Sequence, residues 1–336
     1  MAGCDGAHSA VRHGLGASFA GETLPSDWIL ADVHMTGYPC PDTEASVYWH
    51  DDGAFVVFPI SPGRYRLLAD QPPIGAEHPP TPTLEQVQSI VDRRGPSGMK
   101  VFDPIWLAGF RINGRKVSSY RWGRTFLSGD AAHVHSPAGG QGMNTGMQDA
   151  FNLAWKLARV VRGLSSDALL DSYSPERSAV GDEVLKAAGR LTMIGTLRNP
   201  ALQAVRNLVG HLMFGLRPVQ EAFAESMTEM SVGYPQSPLN GHALHVAGPK
   251  PGERVVPLSG QTPVGSGDTP RFALFGAKTE ESAALARRFD ALLEPEVRPA
   301  LGHDGFWLVR PDGYLACSAA DVEAIAQYLS KKPLAS

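Results

Sequence analysis

GDAAHVHSPAGGQGMN, from Gly129 to Asn144, is the stretch around which we expect the rest of the chain to be organised. It follows a short apolar run, Thr125–Leu127, that predicts a strand, and it leads into a predicted helix. Asp130 comes directly after the strand, and a glycine-rich loop then reaches the start of the helix. Backbone N–H groups at a helix start attract negative charge, and a carboxylate accepts hydrogen bonds from hydroxyls. The residues alone therefore favour an anion or cofactor site, with a tight structural turn as the alternative.

Length and composition indicate a globular chain of ordinary type. Its 336 residues suggest about two domains of ~100–200 residues each. Apolar residues make up 43% and charged residues 19%, as in most globular proteins. The net charge of −4 gives no reason to expect nucleic acid or an anionic membrane as a partner.

The cysteines, the absence of long apolar runs and the N-terminal residues indicate in which cellular compartment the protein is expected. Cys4, Cys40 and Cys317 are odd in number and far apart in sequence, so we expect reduced thiols rather than disulfides. No apolar run approaches the ~18 residues of a membrane span. Residues 1–12 lack the apolar core of a signal peptide. These features together predict a cytoplasmic protein.

Several catalytic and binding motifs are missing from the sequence. There is no GxSxG, no phosphate-binding GxxxxGK[ST] and no GxGxxG. His133 and His135 lie two residues apart, but no further ligands stand at a metal-binding spacing. We therefore expect no metal.

The pattern of apolar and turn residues predicts most of the secondary structure. A strand meander is predicted over 28–69, and its aromatic residues are compatible with a sheet core or with one wall of a pocket for a flat molecule. Those residues are Trp28, Tyr48, Trp49, Phe55, Phe58 and Tyr65. The remaining predicted elements are a helix over 83–94, strands over 101–109 and 110–124, an amphipathic helix with an apolar stripe from Met143 to Val161, a helical layer over 165–229 and an α/β region after residue 270.

A second glycine turn lies near the N-terminus, where the sequence reads GCDGAHSAVR from Gly3 to Arg12. Asp5-Gly6 is a common turn pair ahead of a helix start. A turn with a hydrogen-bonded Asp is one interpretation of it, and a functional loop is the other. We expect no strand before this turn to anchor it.

The block from Gly129 to Leu157 resembles the second flavin motif of the FAD-dependent aromatic hydroxylases, the class A flavoprotein monooxygenases. Gly3 to Arg12 resembles the Asp-Gly motif of the same family, and LDSYSPER at 170–177 resembles the segment that follows. VRPDGY at 309–314 resembles the thioredoxin-like C-terminal domain of the phenol and polyketide hydroxylase branch. With a single cysteine there, Cys317, dithiol exchange is not expected.

The resemblance implies roles for individual residues. Asp130, after Gly129, would bind the ribityl chain of FAD, and the backbone at Gly142, Met143 and Asn144 would face the pyrimidine edge of the flavin. Pro137 would lie beside the flavin and the substrate ring, as the residue closest to catalysis. Asp5 and Gly6 would lie near the pyrophosphate and the path of NAD(P)H. The implied reaction is hydroxylation of a small aromatic substrate with FAD, NAD(P)H and O₂. A homodimer is compatible with the resemblance, but the sequence does not decide the oligomeric state.

The chain also departs from the family pattern. Family members begin with a βαβ unit that carries GxGxxG and holds the ADP part of FAD, and about 150 residues of that region should precede Gly3. We therefore expect a truncated member that binds FAD weakly or not at all by itself. The alternatives are a catalytically incompetent fragment that acts as a structural or interaction protein, and another flavin reaction such as epoxidation or flavin reduction.

The expected fold is accordingly a mixed α+β and α/β one. It comprises a partial FAD-binding domain over 1–27 and 101–180, an antiparallel substrate-binding sheet domain over 28–100, a helical segment over 181–235 and a thioredoxin-like domain over 240–332.

Overall fold

The computed structural model describes residues 1–76, 78–214, 216–244, 248–257, 260–331 and 333–334. Its strands are β1 (Ala2–Gly3), β2 (Phe19–Thr36), β3 (Ser46–His50), β4 (Gly53–Ser61), β5 (Arg64–Gln71), β6 (Lys100–Val117), β7 (Arg121–Trp122), β8 (Thr125–Leu127), β9 (His133–Val134), β10 (Ala273–Phe275), β11 (Phe306–Val309) and β12 (Leu315–Ala319). Its helices are α1 (Ala10–Gly14), α2 (Leu84–Arg94), α3 (Gly142–Val161), α4 (Tyr173–Gly195), α5 (Pro200–Phe214), α6 (Arg217–Thr228), α7 (Glu280–Arg288) and α8 (Val322–Leu329). The predicted mixed α/β class with antiparallel sheets and helices is confirmed. None of the helices in the described residues combines the length and the apolar character that a membrane crossing requires.

The largest sheet has six strands in the order β3-β4-β5-β2-β6-β9, and its neighbours run antiparallel. The predicted meander is confirmed for β3, β4 and β5, but β2 pairs with β5 and β6 rather than with β3. The predicted break at residues 109 and 110 is wrong, because β6 is one strand. It pairs with β2 from Val117 opposite Phe19 to Lys100 opposite Thr36. This long-range pairing holds β6 extended through positions that look like a strand end in the local sequence. β2 runs across the predicted domain border at residue 27, whereas β6 begins at the predicted border at residue 100, and both borders stay a prediction.

The two faces of this sheet bury different residues. Phe55 and Tyr65 pack against α2 in one hydrophobic core. Side chains alternate along a strand, so Trp49 and Phe58 lie on the opposite face, where they are 38% and 40% exposed. The guanidinium of Arg206 in α5 lies 4.8 Å from the Trp49 ring. The predicted aromatic set is therefore divided between core and a partly open surface.

A short strand anchors the N-terminal turn. β1 pairs in parallel with β8, with Ala2 opposite Phe126 and Gly3 opposite Leu127, and β7 completes this three-stranded sheet. The expectation that no strand precedes the Asp5-Gly6 turn is wrong. A strand of only two residues is enough to anchor the turn, because the Ser128 N–H also donates to the Gly3 carbonyl, over 3.0 Å. The Asp-Gly turn thereby lies beside the glycine-rich stretch.

Helix α3 forms as predicted, and it ends before Gly163, which has a left-handed φ of 71°. The residues that it buries, however, include many polar ones beside Leu153 and Trp155. Asp149, Lys156 and Arg159 are buried, whereas Met147 and Phe151 of the apolar stripe are 55% and 58% exposed. The polar face can be buried because its charges are paired or hydrogen-bonded. Arg159, for example, donates to the carbonyls of Pro270 and Ala291 over 2.9 and 3.1 Å.

The C-terminal region contains the antiparallel sheet β10-β11-β12 with α7 and α8. It is joined to α3 and α4 by a buried charge cluster, which we define as Lys156, Glu176, Arg310 and Asp312. The Glu176 carboxylate accepts from Lys156 over 2.7 Å and from Arg310 over 2.6 and 3.0 Å. Arg310 also donates to Asp312 over 2.9 and 2.6 Å. Burial alone would raise the pKa of Glu176, but Arg310 and Lys156 hold it below its ordinary value.

Candidate functional site

The glycine-rich stretch turns sharply between β8 and α3. Gly129, Gly139 and Gly140 have left-handed φ angles of 60°, 93° and 65°, a region that side chains with a Cβ rarely adopt. The Gly140 N–H donates to the Pro137 carbonyl over 2.9 Å. Helix α3 then begins at Gly142 without a side-chain cap. The first N–H groups of a helix have no partner within it, so this turn directs backbone donors outward.

Asp149 of α3 holds the start of the glycine-rich stretch in place from the protein interior. Its carboxylate accepts from the Gly129 N–H over 3.0 Å, pairs with His133 Nε2 over 2.8 Å, and accepts from Arg177 over 2.6 Å. Burial would raise the pKa of this carboxyl, but the charge of Arg177 and the hydrogen bond with His133 lower it below its ordinary value. Arg177 also donates to the Thr145 carbonyl over 3.0 Å. Asp149 therefore acts as a brace for the loop before α3 rather than as a surface residue.

A cavity of about 430 Å³ opens at the front of the stretch. Its lining residues are Asp130, Val134, His135, Ser136, Pro137, Gly140, Gly142 and Met143. Four of the residues selected from the sequence, Asp130, Pro137, Gly142 and Met143, therefore surround one space. Gly129 and Asn144 adjoin lining residues in the chain without lining the cavity themselves.

Asp5 and Gly6 lie at a different point. The Asp5 carboxylate accepts from Ser9 Oγ over 2.5 Å and from the Val11 N–H over 3.1 Å at the start of α1. The hydrogen bond from Ser9 is the main reason that the pKa of Asp5 is lowered. Gly6 has a left-handed φ of 83°. Neither residue lines the cavity, and their part in cofactor binding stays a prediction.

Arg12 connects this turn to the glycine-rich stretch. Its buried guanidinium donates to the Ala7 carbonyl over 2.6 Å and to the Ala131 carbonyl over 3.1 Å. It also lies 4.0 Å from the centre of the Phe19 ring. The two motifs picked out along the sequence are thus neighbours, held together by an arginine to which the sequence assigned no role.

His135 presents a lone pair at the cavity wall. Its Nδ1 lies 2.9 Å from the Ser136 carbonyl, which can only accept, so Nδ1 carries the hydrogen. Burial lowers the pKa of His135, which keeps the ring neutral. Nε2 is then an acceptor, and it is buried without a partner among the described residues. It lies 3.6 Å from the point where a Cβ on Gly142 would be. The sequence drew attention to His135 only as half of a rejected metal pair.

The arrangement matches known proteins. Residues 1–188, more than half of the chain, fit the sequence pattern of the FAD binding domain family. The chain belongs to this family. The resemblance to the FAD-dependent aromatic hydroxylases is likewise confirmed by the relatives.

Three known proteins show what this member of the FAD binding domain family is similar to. The 6-methylpretetramide 4-monooxygenase of Streptomyces rimosus is 34% identical over 94% of this chain and 63% of its own length. The rifampicin monooxygenase of Streptomyces venezuelae is 35% identical over 73% of this chain and 51% of its own length. The structure of the OxyS anhydrotetracycline hydroxylase from Streptomyces rimosus matches with a TM-score of 0.74 at 27% identity, over 98% of this chain and 68% of that chain. This chain therefore spans about half to two thirds of the length of these relatives.

Proposed function

We propose that this chain supplies the flavin-ring side of an FAD- and NAD(P)H-dependent monooxygenase that hydroxylates an aromatic, phenol-like or polyketide-like substrate with O₂. One observation carries the proposal: Asp130, Pro137 and the start of α3 surround a single cavity of about 430 Å³. The activities for which the relatives are named agree with it, since they are monooxygenases or hydroxylases. A homodimer and a cytoplasmic location stay predictions.

The donors and acceptors around the cavity fit a flavin. Asp130 is an exposed carboxylate that can accept from ribityl hydroxyls. The uncapped start of α3 offers N–H donors to ring carbonyls, and its dipole favours negative charge at that point. Nε2 of His135 is an orphaned acceptor that a ring N–H or a hydroxyl can satisfy. A bulky side chain at Gly142 would lie against His135 and narrow the space.

Bound FAD, once reduced by NAD(P)H, supplies the oxygen-transfer chemistry. The residues of this chain have more limited tasks. With FAD bound, Asp130 would hold the ligand in place, the start of α3 would stabilise charge that develops on the ring, and Pro137 would help to keep water from the substrate side of the ring. Asp149 and Arg177 keep these groups in position.

The test measures NADH and NADPH oxidation and product formation by the purified chain with added FAD and a panel of phenols and naphthols. Because the sequence predicts that this chain binds FAD weakly by itself, we expect hydroxylated product only at high FAD concentration, and we expect Asp130→Ala to reduce flavin binding and product together. The matched control is Asp304→Asn, which removes an exposed carboxylate in the C-terminal region. Flavin that is bound equally well by Asp130→Ala would contradict the role of Asp130, whereas no bound flavin and no product at any flavin concentration would favour the structural fragment instead.

A further inference from the structure

A buried glutamate, Glu229, lies behind the start of α3, and the proposed function assigns it no role. It directly follows α6 and is 1% exposed. Its φ is 53°, in the left-handed region that residues other than glycine seldom adopt. Oε1 lies 2.5 Å from Oγ1 of Thr145, the fourth residue of α3, and Oε2 is buried without a hydrogen-bond partner among the described residues. The surroundings therefore hold this carboxyl group in place, although only one of its oxygens is hydrogen-bonded.

The charged groups around Glu229 are already paired with each other. Arg177 of α4 donates to Asp149 of α3 over 2.6 Å, and Nε2 of His133 in β9 lies 2.8 Å from the same carboxylate. These three side chains are the charged or titratable groups that act on Glu229. None of them forms an ion pair with it in the part of the chain that the structure describes. An ionised Glu229 would thus be a buried charge without a paired cation, which is costly.

The hydroxyl group of Thr145 indicates where the proton of Glu229 lies. Thr145 Oγ1 is 2.9 Å from the Gln141 carbonyl and 2.5 Å from Glu229 Oε1, but it has only one hydrogen to donate. A carbonyl can only accept, so Glu229 must supply the hydrogen of its own contact whenever Thr145 donates to Gln141. That arrangement makes Glu229 a neutral carboxylic acid. Burial favours the same state, because it raises the pKa of Glu229 more than the contact with Thr145 lowers it.

We propose that Glu229 is a positioning residue that stays a neutral acid, so that the start of α3 can stabilise negative charge on a ligand in the cavity. Gly142 and Met143, which line the cavity, lie within one helical turn of Thr145. Negative charges on Glu229 and on a ligand at this end of α3 would repel each other. Coupling between two sites is reciprocal, so an anionic ligand should also make Glu229 harder to ionise. The inference rests on the proposed function, in which the ligand is a flavin whose ring gains negative charge on reduction.

The first measurement needs no ligand. Infrared spectra of the full chain in deuterium oxide should show the carbonyl band of a protonated carboxylic acid that persists above the ordinary glutamate pKa of about 4.3. The band should be lost in Glu229→Gln and unchanged in the matched control Glu183→Gln, which removes an exposed carboxyl group on α4. If Glu229→Gln loses no such band, Glu229 is ionised and the inference is overturned.

Two variants of Thr145 test the same contact from the other side. Thr145→Val should shift the frequency of the band, because the acid loses the hydroxyl to which it donates, whereas Thr145→Ser retains a hydroxyl and should shift it less. Circular dichroism checks that all variants are folded. An unshifted band in folded Thr145→Val would overturn the inference even if Glu229→Gln did not fold.

The second measurement tests the coupling to a ligand. Oxidised and anaerobically reduced FAD are titrated into the wild type and Glu229→Gln, at pH values below and above the pH at which the infrared band disappears. Above that pH, the wild type should bind reduced FAD, relative to oxidised FAD, at least about fivefold more weakly than Glu229→Gln does, and below it the two proteins should agree. Equal ratios at both pH values would overturn the inference while the proposed flavin site stands. Absence of binding of either form by both proteins would overturn the proposed flavin site itself.

Discussion

Arg177 donates to Asp149 over 2.6 Å in the interior, and the second oxygen of the same carboxylate accepts from the backbone N–H of Gly129. The position of the glycine-rich stretch therefore depends on an ion pair between α3 and α4. Both side chains are buried, so neither charge can be solvated if its partner is removed.

Asp149→Ala should be among the most destabilising single substitutions in this chain. It leaves Arg177 charged and buried, and the expected loss in the free energy of unfolding is about 3–5 kcal/mol. Urea denaturation followed by circular dichroism measures it. Asp130→Ala is the matched control, because Asp130 is exposed and should change the free energy by no more than about 0.5 kcal/mol. Equal stability of the two variants would contradict the role of Asp149 in holding the glycine-rich stretch in place.

The contact between Glu176 and Arg310 should couple the C-terminal region to the helices. Arg310→Met takes two hydrogen bonds from the buried Glu176 carboxylate, and we expect a loss of about 3–5 kcal/mol. In the double variant Glu176→Gln with Arg310→Met, the loss should be smaller than the sum of the single losses, by about 0.5–3 kcal/mol. Urea unfolding of the four proteins gives this coupling energy. If the losses in the free energy of unfolding are strictly additive, the contact between Glu176 and Arg310 does not couple the C-terminal region to the helices.

The exposed apolar stripe of α3 should tolerate polar residues. Phe151→Ser changes a side chain that is 58% exposed, so the free energy of unfolding should move by less than about 1 kcal/mol. Leu153→Ala, two residues further on and buried, should cost about 2–5 kcal/mol. Self-association measured by light scattering should fall in Phe151→Ser, because less apolar surface is exposed. A large loss of stability in Phe151→Ser would mean that this face is buried in the protein in solution.

His135 should make stability depend on pH near neutrality. Its pKa in the folded chain is lowered by burial, although the Ser136 carbonyl acts in the opposite direction, as does Asp130 more weakly. Below the ordinary pKa of about 6.5, the unfolded chain takes up a proton that the folded chain refuses. Stability therefore falls as the pH decreases through that value, by at most about 1.4 kcal/mol per pH unit.

The measurement for His135 compares the wild type with His135→Gln by urea unfolding between about pH 5.5 and 7.5. The stability advantage of the wild type should shrink toward acid pH, because glutamine does not titrate. The ten other histidines are present in both proteins, so the difference between the two pH curves reports on the substitution at His135. Parallel pH curves would refute a lowered pKa at this position.

Much of the candidate site could be predicted from local sequence. Asp130, Pro137, Gly142 and Met143 belong to one short stretch, and any fold that keeps the strand–loop–helix order places them close together. His135 and Asp149 lie in or just after the same stretch, but their roles depend on partners elsewhere in the chain. The hydrogen on His135 Nδ1 follows from the position of a carbonyl, and the brace at Asp149 needs Arg177 of another helix.

The sequence by itself determined that α3 is a helix, because spacing, propensity and the glycine after its end act within a few residues. The tertiary structure alone decided which face of α3 is buried. Hydrophobic periodicity favours burial of Met147 and Phe151, yet the neighbouring elements place Arg177, Glu176 and two main-chain carbonyls opposite Asp149, Lys156 and Arg159. Burial of those charges is tolerated only because each one meets a partner from a distant part of the chain. The local sequence around α3 does not indicate these long-range pairings.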